Sequence, residues 1–431
     1  METPSSRLSP GSSWNKRRTT RVDRGELTIP ERLLNIIRGV AVGRSDSLQV
    51  DLRELLTAVR SYFDMDVAFI SHFEGNMRYI ELLELGLGAE TLALQEGDAG
   101  PREWSFCQRV ADGRMPRLIV DAQTHPSSSG LSATRDIGIG THMSVPIWDE
   151  GDTYGMLCCF STKVNQTISD RDIKVMELLG TLVGQRIARA REEDQQYARL
   201  QKEVETLIQS RAFRTVFQPI KHINTWLTSG YEALTRFENG LPPDDVFKAA
   251  GQVQLQASLE TAAVRSAVST VSQLQEGCYL SVNVSAGTVA DPEFRTIILS
   301  GRPERIVLEL TEHDAVENYQ QLIADLAPLR AANVRLAVDD VGSGYASFQH
   351  ILSLVPDMIK LDRSLVTGLS ESQAKRAMVA AMAGFARETG TTLVAEGIET
   401  ENERQAALQL GVEFGQGYLF GRPMDALAWT T

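Results

Sequence analysis

The hydrophobic rhythm of the chain changes near residue 211. Before that point, apolar residues recur first at helical spacing. Leu27 to Val40 reads as a helix with Pro30 in its first turn, and "DLRELLTAVRSYF" puts Leu52, Leu55, Leu56, Val59 and Phe63 on one helical face. Short strand-like runs follow: "DVAFISHF", "MRYIELLEL", "PRLIVDA", "THMSVPIWD" and "TYGMLCCFST", separated by turn residues such as "EGN" and "DEGD". A helix pair, antiparallel strands and a closing helix make an α+β pattern. From Asp170 to about Ser210 the chain reads as one long helix. Met176, Leu179, Val183, Ala190, Tyr197, Leu200, Val204 and Leu207 fit a seven-residue repeat, which Arg186 and Glu193 interrupt. Its charged second half, "RAREEDQQYARLQKEVE", leaves a narrow apolar stripe. That favours a two-stranded coiled coil over a single helix packed along one domain.

Beyond Arg211, continuous apolar runs alternate with long helical stretches. The strands are expected at "FRTVFQPI", "TSGYEALTRF", "CYLSVNVSA", "RIVLELTE", "VRLAVDDVG", "DMIKLDRSL", "TLVAEGIET" and "EFGQGYLFG". Helices such as "ASLETAAVRSAVSTVSQL" and "AKRAMVAAMAGFARETG" lie between most of them. Eight such units predict a (β/α)8 barrel of buried parallel strands.

Composition narrows the function classes. A formal net charge of -13 over 431 residues argues against a general nucleic-acid binder. The four cysteines form no C-x-x-C pair, and Cys158 and Cys159 are neighbours in an apolar run, which suggests core thiols in a reducing, cytoplasmic setting. No apolar run approaches the ~20 residues of a membrane helix. The opening "METPSSRLSPGSSWNKRRTTRVDRG" lacks an apolar core and reads as a disordered basic arm over 1–26, not a secretory signal.

Several barrel runs end in a polar residue: Glu232, Asn283, Glu309, Asp339 with Asp340, Lys360, Glu396 and Gln416. Each alone could be a strand-end cap. In a barrel, however, the C-terminal strand ends converge on one face. Carboxylates gathered there without a cation would repel, and some would stay protonated. Oxygen ligands without recurring His or Cys favour Mg²⁺ or Mn²⁺ over Zn²⁺. Two such ions can clamp a phosphodiester. Arg236 could bind a phosphate oxygen or make a surface salt bridge. Lys360 lies in "DMIKLD", where alternation turns it to the side of Asp362 or to the barrel interior; an interior lysine needs a partner.

Residues from about 205 to 428 resemble an EAL domain, the cyclic di-GMP phosphodiesterase family. "YEALTRF" holds the triplet Glu232, Ala233, Leu234, and "SVNVSA", "LELTE", "DDVGSGYASF", "IKLDRS", "VAEGIET" and "GQGYLFGRP" follow in the family's order. The resemblance implies that Glu232, Asn283, Glu309, Asp339 and Asp340 are metal ligands, with Asp339 bridging two Mg²⁺ or Mn²⁺ ions. It implies that Lys360 orients the nucleophilic water, that Glu396 is the general base and that Gln416 sits beside the metal-bound water. Glu399 would pin the glycine-rich loop after strand five, and Gln218, Leu234, Arg236 and Pro423 would contact substrate. Thr235, Val341 and Ser343 depart from the usual pattern, and Val341 removes an aromatic ring from the loop that couples the site to a dimer interface. No Gly-Gly-Asp-Glu-Phe cyclase signature is present.

The preceding region, 27–190, is similar to a GAF sensor domain over roughly residues 45 to 190. "SFCQRVADGRMPRLIVDA", "MSVPIWDEGDTYGMLCCF" and "ISDRDIKVMELLGTLVGQRIA" carry that likeness. The residue set of cyclic-nucleotide GAF domains is not visible, and Cys107 lies in no bilin-attachment pattern. His142 reads as a haem ligand or, by preference, a hydrogen-bonded structural histidine. The expected protein is therefore a bacterial, cytoplasmic homodimer: a GAF domain, a linker helix over 170–210 and an EAL barrel over 205–431. It would hydrolyse cyclic di-GMP to linear pGpG under control of an unknown GAF ligand. The alternatives are a catalytically weak cyclic di-GMP receptor, or a barrel enzyme for another phosphoester.

Overall fold

The computed structural model describes residues 48–311, 316, 318–342 and 347–425. The arm expected over 1–26, the helix over 27–40, and Ser343 with most of the glycine-rich loop lie outside the described residues. The chain divides into two compact units, Met1–Glu193 and Asp194–Thr431.

The first unit is built on a six-stranded antiparallel sheet. Its strands are β1 (Val67–Glu74), β2 (Met77–Leu85), β3 (Ala99–Pro101), β4 (Leu118–Ile119), β5 (Thr141–Asp149) and β6 (Asp152–Ser161), in the order β3-β2-β1-β6-β5-β4. Alternation along β6 sends Leu157 and Cys159 to one face and Met156, Cys158 and Phe160 to the other. On the first face pack helix Leu48–Tyr62, through Leu52, Leu55, Leu56 and Val59, and the start of the long helix, through Met176, Leu179 and Val183. On the other face lies the short helix Phe106–Ala111. The run "PRLIVDA" pairs only over Leu118–Ile119, and β3 was not expected from the sequence.

The long helix forms over Asp170–Ser210, and part of its repeat is covered within the chain itself. Met176, Leu179 and Val183 lie in the core of the first unit. Val204 is buried against Phe213, Phe237 and Leu259 of the second, with Leu200 and Leu207 packed on the same cluster. Residues 191–199 between them are all exposed. Six positions of the repeat are thus covered at the two ends of the helix, each end within its own unit, and this accounts for Val204 without a second chain. None of the described helices is long and apolar enough to cross a membrane.

The second unit is a closed eight-stranded barrel: β7 (Phe213–His222), β8 (Thr228–Phe237), β9 (Tyr279–Asn283), β10 (Ile306–Thr311), β11 (Arg335–Val341), β12 (Met358–Leu361), β13 (Thr392–Ala395) and β14 (Phe414–Gly415). All eight expected strands are present, but they are not all parallel. β7 runs antiparallel to both β8 and β14. The cause is the connection: β7 and β8 are joined by a short turn with no crossover helix, and a hairpin forces antiparallel pairing.

The barrel interior is two-tiered. A floor of Ile220, Tyr279, Val307, Ala337, Met358, Val394 and Phe414 fills it at one level. Because side chains on one face of a strand recur every two residues, the next level is set by the same strands. One period beyond the floor come Ser281, Glu309, Asp339, Lys360, Glu396 and Gln416. On β8, Glu232 follows Gly230, whose missing side chain makes room for the Tyr279 ring. On β7 the direction is reversed, so the residue above Ile220 is Gln218, directly opposite Glu232.

Candidate active site

That upper tier is a nearly closed ring of polar side chains at the C-terminal ends of the parallel strands. At its centre Lys360, 1% exposed, points its Nζ at four carboxylates. The distances are 2.7 Å to Glu396, 2.9 Å to Glu309, 3.0 Å to Asp339 and 3.6 Å to Glu232. Ser281 Oγ donates to the other Glu309 oxygen. Asn283 donates to Glu232 at 3.0 Å, and Gln416 donates to Glu232 at 2.5 Å and to Gln218 at 3.1 Å. Gln218 in turn donates to the Gly421 carbonyl at 3.2 Å.

Adjacent side chains of a regular strand point to opposite faces, so two neighbouring aspartates should not share one site. Here the β11–β12 pairing shifts register between Val338 and Val341. This bulge, with Asp340 at φ 54°, turns the chain so that Asp340 stays at the mouth while its N–H donates to Asp339 at 2.8 Å. At Gly417, φ 152°, a Cβ would sit 2.2 Å from the Ile398 carbonyl oxygen, so only glycine lets the chain turn immediately after Gln416.

The electrostatics show a shortage of positive charge. Burial pushes Glu309 up to about 8, with Glu232 and Asp339 adding to the rise and Lys360 opposing it. Burial likewise raises Asp339, and raises Glu396 well above the carboxylate range. Glu232 would also rise through burial, but Lys360, Gln416 and Asn283 bring it below its ordinary value. Lys360 loses hydration yet is held well above its usual range by Asp339, Glu232, Glu309 and Glu396. One ammonium cannot neutralise this many acids.

Two sets of oxygens fit cations. One atom each from Glu232, Glu309 and Asp339 lie within 4.8 Å of one another, and so do atoms from Asp339, Asp340 and Glu396. Asp339 belongs to both. Gln416 Oε1 is buried beside them with no hydrogen-bond partner. An all-oxygen donor set that lacks positive charge and leaves a spare acceptor fits hard divalent ions.

Two cavities meet at these residues. One, about 450 Å³, is lined by Arg236, Asn283 and Phe247 among others, and the second, about 350 Å³, by Gln218, Glu396, Gln416 and Tyr418. Both include Glu232, Leu234, Asp339 and Asp340. Arg236 lines the first and donates to the Thr235 carbonyl at 2.8 Å, so the surface salt bridge weighed for it is not what the structure describes. Glu399 lines the second and pairs with Arg363 at 2.9 Å; the loop it was expected to pin is not described. Pro423 is half-buried and lines neither cavity. Sequence reasoning missed Ser281, although its spacing of two from Asn283 on β9 puts both on one face.

In the first unit, His142 departs from expectation. It is 1% exposed, packs on the Phe106 ring, and neither ring nitrogen has a hydrogen-bond partner. Burial lowers it to about 3, so the ring is neutral. The adjoining cavity of about 70 Å³ falls far below the roughly 300–1,000 Å³ of a cofactor pocket, which leaves no room for haem.

The EAL domain family model matches residues 201–423 and a GAF domain model matches 45–188. An uncharacterized signaling protein of Caulobacter vibrioides is 32% identical over 230 residues, 50% of this chain and 28% of that protein. The cyclic di-GMP phosphodiesterase PdeL of Escherichia coli is 29% identical over 233 residues, 50% of this chain and 64% of PdeL. The chain therefore spans less than two thirds of either relative. The solved structure of the EAL enzyme Bd1971 in its cAMP-bound form aligns with 85% of this chain and 92% of its own, at 18% identity and a TM-score of 0.52, a likeness of fold. With its barrel, its ordered motifs and a family match over half its length, the chain belongs to the EAL domain family and carries a GAF domain ahead of the barrel.

Proposed function

We propose that the barrel hydrolyses one phosphodiester bond of cyclic di-GMP to give linear pGpG, with two Mg²⁺ or Mn²⁺ ions. The observation that carries this reading is the pair of carboxylate sets sharing Asp339, at the junction of two cavities. A substrate with two nucleotide halves and a central phosphodiester suits a cleft with two lobes and a charged middle. Glu232, Glu309, Asp339 and Asp340, with Asn283, would hold the ions. Bound there, the ions would supply charge stabilisation for the phosphoryl group and lower the pKa of water. Arg236 holds a phosphate oxygen in the first lobe. Lys360 fixes the orientation of the attacking water, and Glu396, 2.7 Å from Lys360 Nζ, takes its proton. Gln416 Oε1 accepts a hydrogen bond from the same water.

The GAF domain sets the rate of the barrel through a ligand or chemical signal; the order of GAF domain, 41-residue helix and barrel supports this. The homodimer expected of the linker would use the exposed run 191–199, since Leu200, Val204 and Leu207 pack within their own unit.

Glu396→Gln tests the chemistry. It should bind cyclic di-GMP with near-normal affinity by calorimetry and lose turnover by roughly 10²–10⁴-fold. A variant that turns over normally would remove Glu396 as the base.

A further inference from the structure

All four cysteines are reduced and buried. Burial pushes Cys158, Cys159 and Cys278 above the usual thiol range. Cys107 goes the other way, down to about 7, through its contact with Cys158 and, against the effect of burial, the charge of Arg78 and a hydrogen bond from Ser71.

The geometry is specific to one pair. Cys107 Sγ and Cys158 Sγ lie 3.5 Å apart, on the helix Phe106–Ala111 and on β6. Cys159, the next residue along, faces the opposite side of the sheet. Among the described residues, the groups of three or more acids, histidines or cysteines that could hold a metal are both in the barrel, so this pair lacks a third ligand. Cys107 also lines the 70 Å³ cavity next to His142 and Arg78. A water molecule takes about 30 Å³, so that cavity has room for a hydroperoxide group and none for a bulky disulfide oxidant.

We infer that Cys107 and Cys158 form a peroxide-sensitive dithiol that closes to a reversible disulfide inside the sensor domain. The Cys107 thiolate attacks one peroxide oxygen; an S–O bond forms, the O–O bond breaks, and hydroxide leaves to take up a proton. The Cys158 sulfur then attacks the sulfenic sulfur. The S–S bond forms, the S–O bond breaks, and the departing hydroxide carries off the Cys158 proton as water. Two thiols are oxidised by two electrons and one hydrogen peroxide becomes two waters.

The disulfide needs a separation of about 2.05 Å, so the sulfurs close by roughly 1.5 Å. Cys158 is held in mid-sheet, paired with Phe69 and Ser144, so the six-residue helix makes the movement. Phe106 travels with Cys107, and its ring lies 4.6 Å from that of His142. Oxidation therefore reshapes the cavity wall.

The test uses full-length protein treated with a slight excess of hydrogen peroxide, quenched with catalase, unfolded in excess alkylating agent so that every remaining thiol is capped, and mapped by non-reducing mass spectrometry. The expected result is a Cys107–Cys158 cross-link, a fall from four titratable thiols to two, and full return of thiols with dithiothreitol. Cys159→Ala should still form the cross-link, whereas Cys107→Ser should form none and keep its remaining thiols. The wild-type map decides the question even if a variant folds poorly. Four intact thiols in the treated protein, a Cys158–Cys159 link, or a cross-link between chains would overturn the proposal.

Discussion

The barrel mouth and the GAF domain bury polar groups in opposite ways. At the mouth, Lys360, Glu232, Glu309, Asp339 and Glu396 are drawn together, and each is answered by another charge or an amide. In the GAF domain, His142 is enclosed with both nitrogens unanswered and stays neutral. Burying several charges costs far more desolvation than burying one neutral imidazole. A cluster retained against that cost has to be held by its own members and by cations. The imidazole costs less, and its surroundings need only be apolar. The first region should therefore respond strongly to loss of any single member and to divalent ions, and the second mainly to pH.

The largest expected effect follows from breaking the shared ligand. Asp339→Ala removes a carboxylate from both cation sets and should lower cyclic di-GMP turnover by more than about 100-fold, the upper end of what losing an outer-shell partner costs. Steady-state rates at saturating Mn²⁺ check this; a loss under tenfold would separate Asp339 from the chemistry. Next comes Lys360→Met. Without the ammonium, the metal-free barrel should lose about 3–5 kcal/mol of stability in urea unfolding, and Mg²⁺ should restore part of it. Equal stability with and without the ion would mean that the carboxylates do not share a need for positive charge.

His142 sharpens the other side of the comparison. It takes a proton near 6.5 in the unfolded chain but only near 3 when folded. The unfolded state therefore binds more protons between those values, and the stability of the GAF domain should fall as pH drops below 6.5, by up to about 1.4 kcal/mol per pH unit. His142→Phe should flatten that slope. Hydrogen exchange of β5 and β6 amides between pH 6.5 and 5 measures it, and identical slopes would place the acid sensitivity elsewhere. The smallest contrast lies on the long helix. Val204→Ala should cost the barrel about 1–2 kcal/mol, while Tyr197→Ala, in the exposed run, should stay within about 0.5 kcal/mol in a monomer. A clear loss at Tyr197 that grows with protein concentration would show a partner helix there.

Most of the barrel was legible because its strands are continuous apolar runs that end in polar residues. Repetition at seven of the eight runs made a weak local signal strong, and alternation offered the barrel interior as one of two sides for Lys360. The reversal of β7 was legible in principle from the short turn between "FRTVFQPI" and "TSGYEALTRF", but periodicity carries no strand direction. The Asp339–Asp340 bulge could not be read, because strand rules assign neighbours to opposite faces. The helix was found, and part of its repeat belongs to the two units: apolar spacing records that a face is covered, not whether the cover comes from the same chain. His142 went wrong for a similar reason. A histidine in an apolar strand implies burial, while the number of its hydrogen bonds depends on residues distant in sequence.

The central claim is that the carboxylate ring of the barrel works as a cation-dependent phosphodiesterase. Its most direct test is chromatographic detection of pGpG from cyclic di-GMP with the full-length chain, in EDTA and after adding back Mg²⁺, Mn²⁺ or Ca²⁺. The account predicts no product in EDTA, recovery with Mg²⁺ or Mn²⁺, and poor recovery with the larger, less strictly octahedral Ca²⁺. Undiminished product in EDTA, or none with any of the three ions, would contradict it.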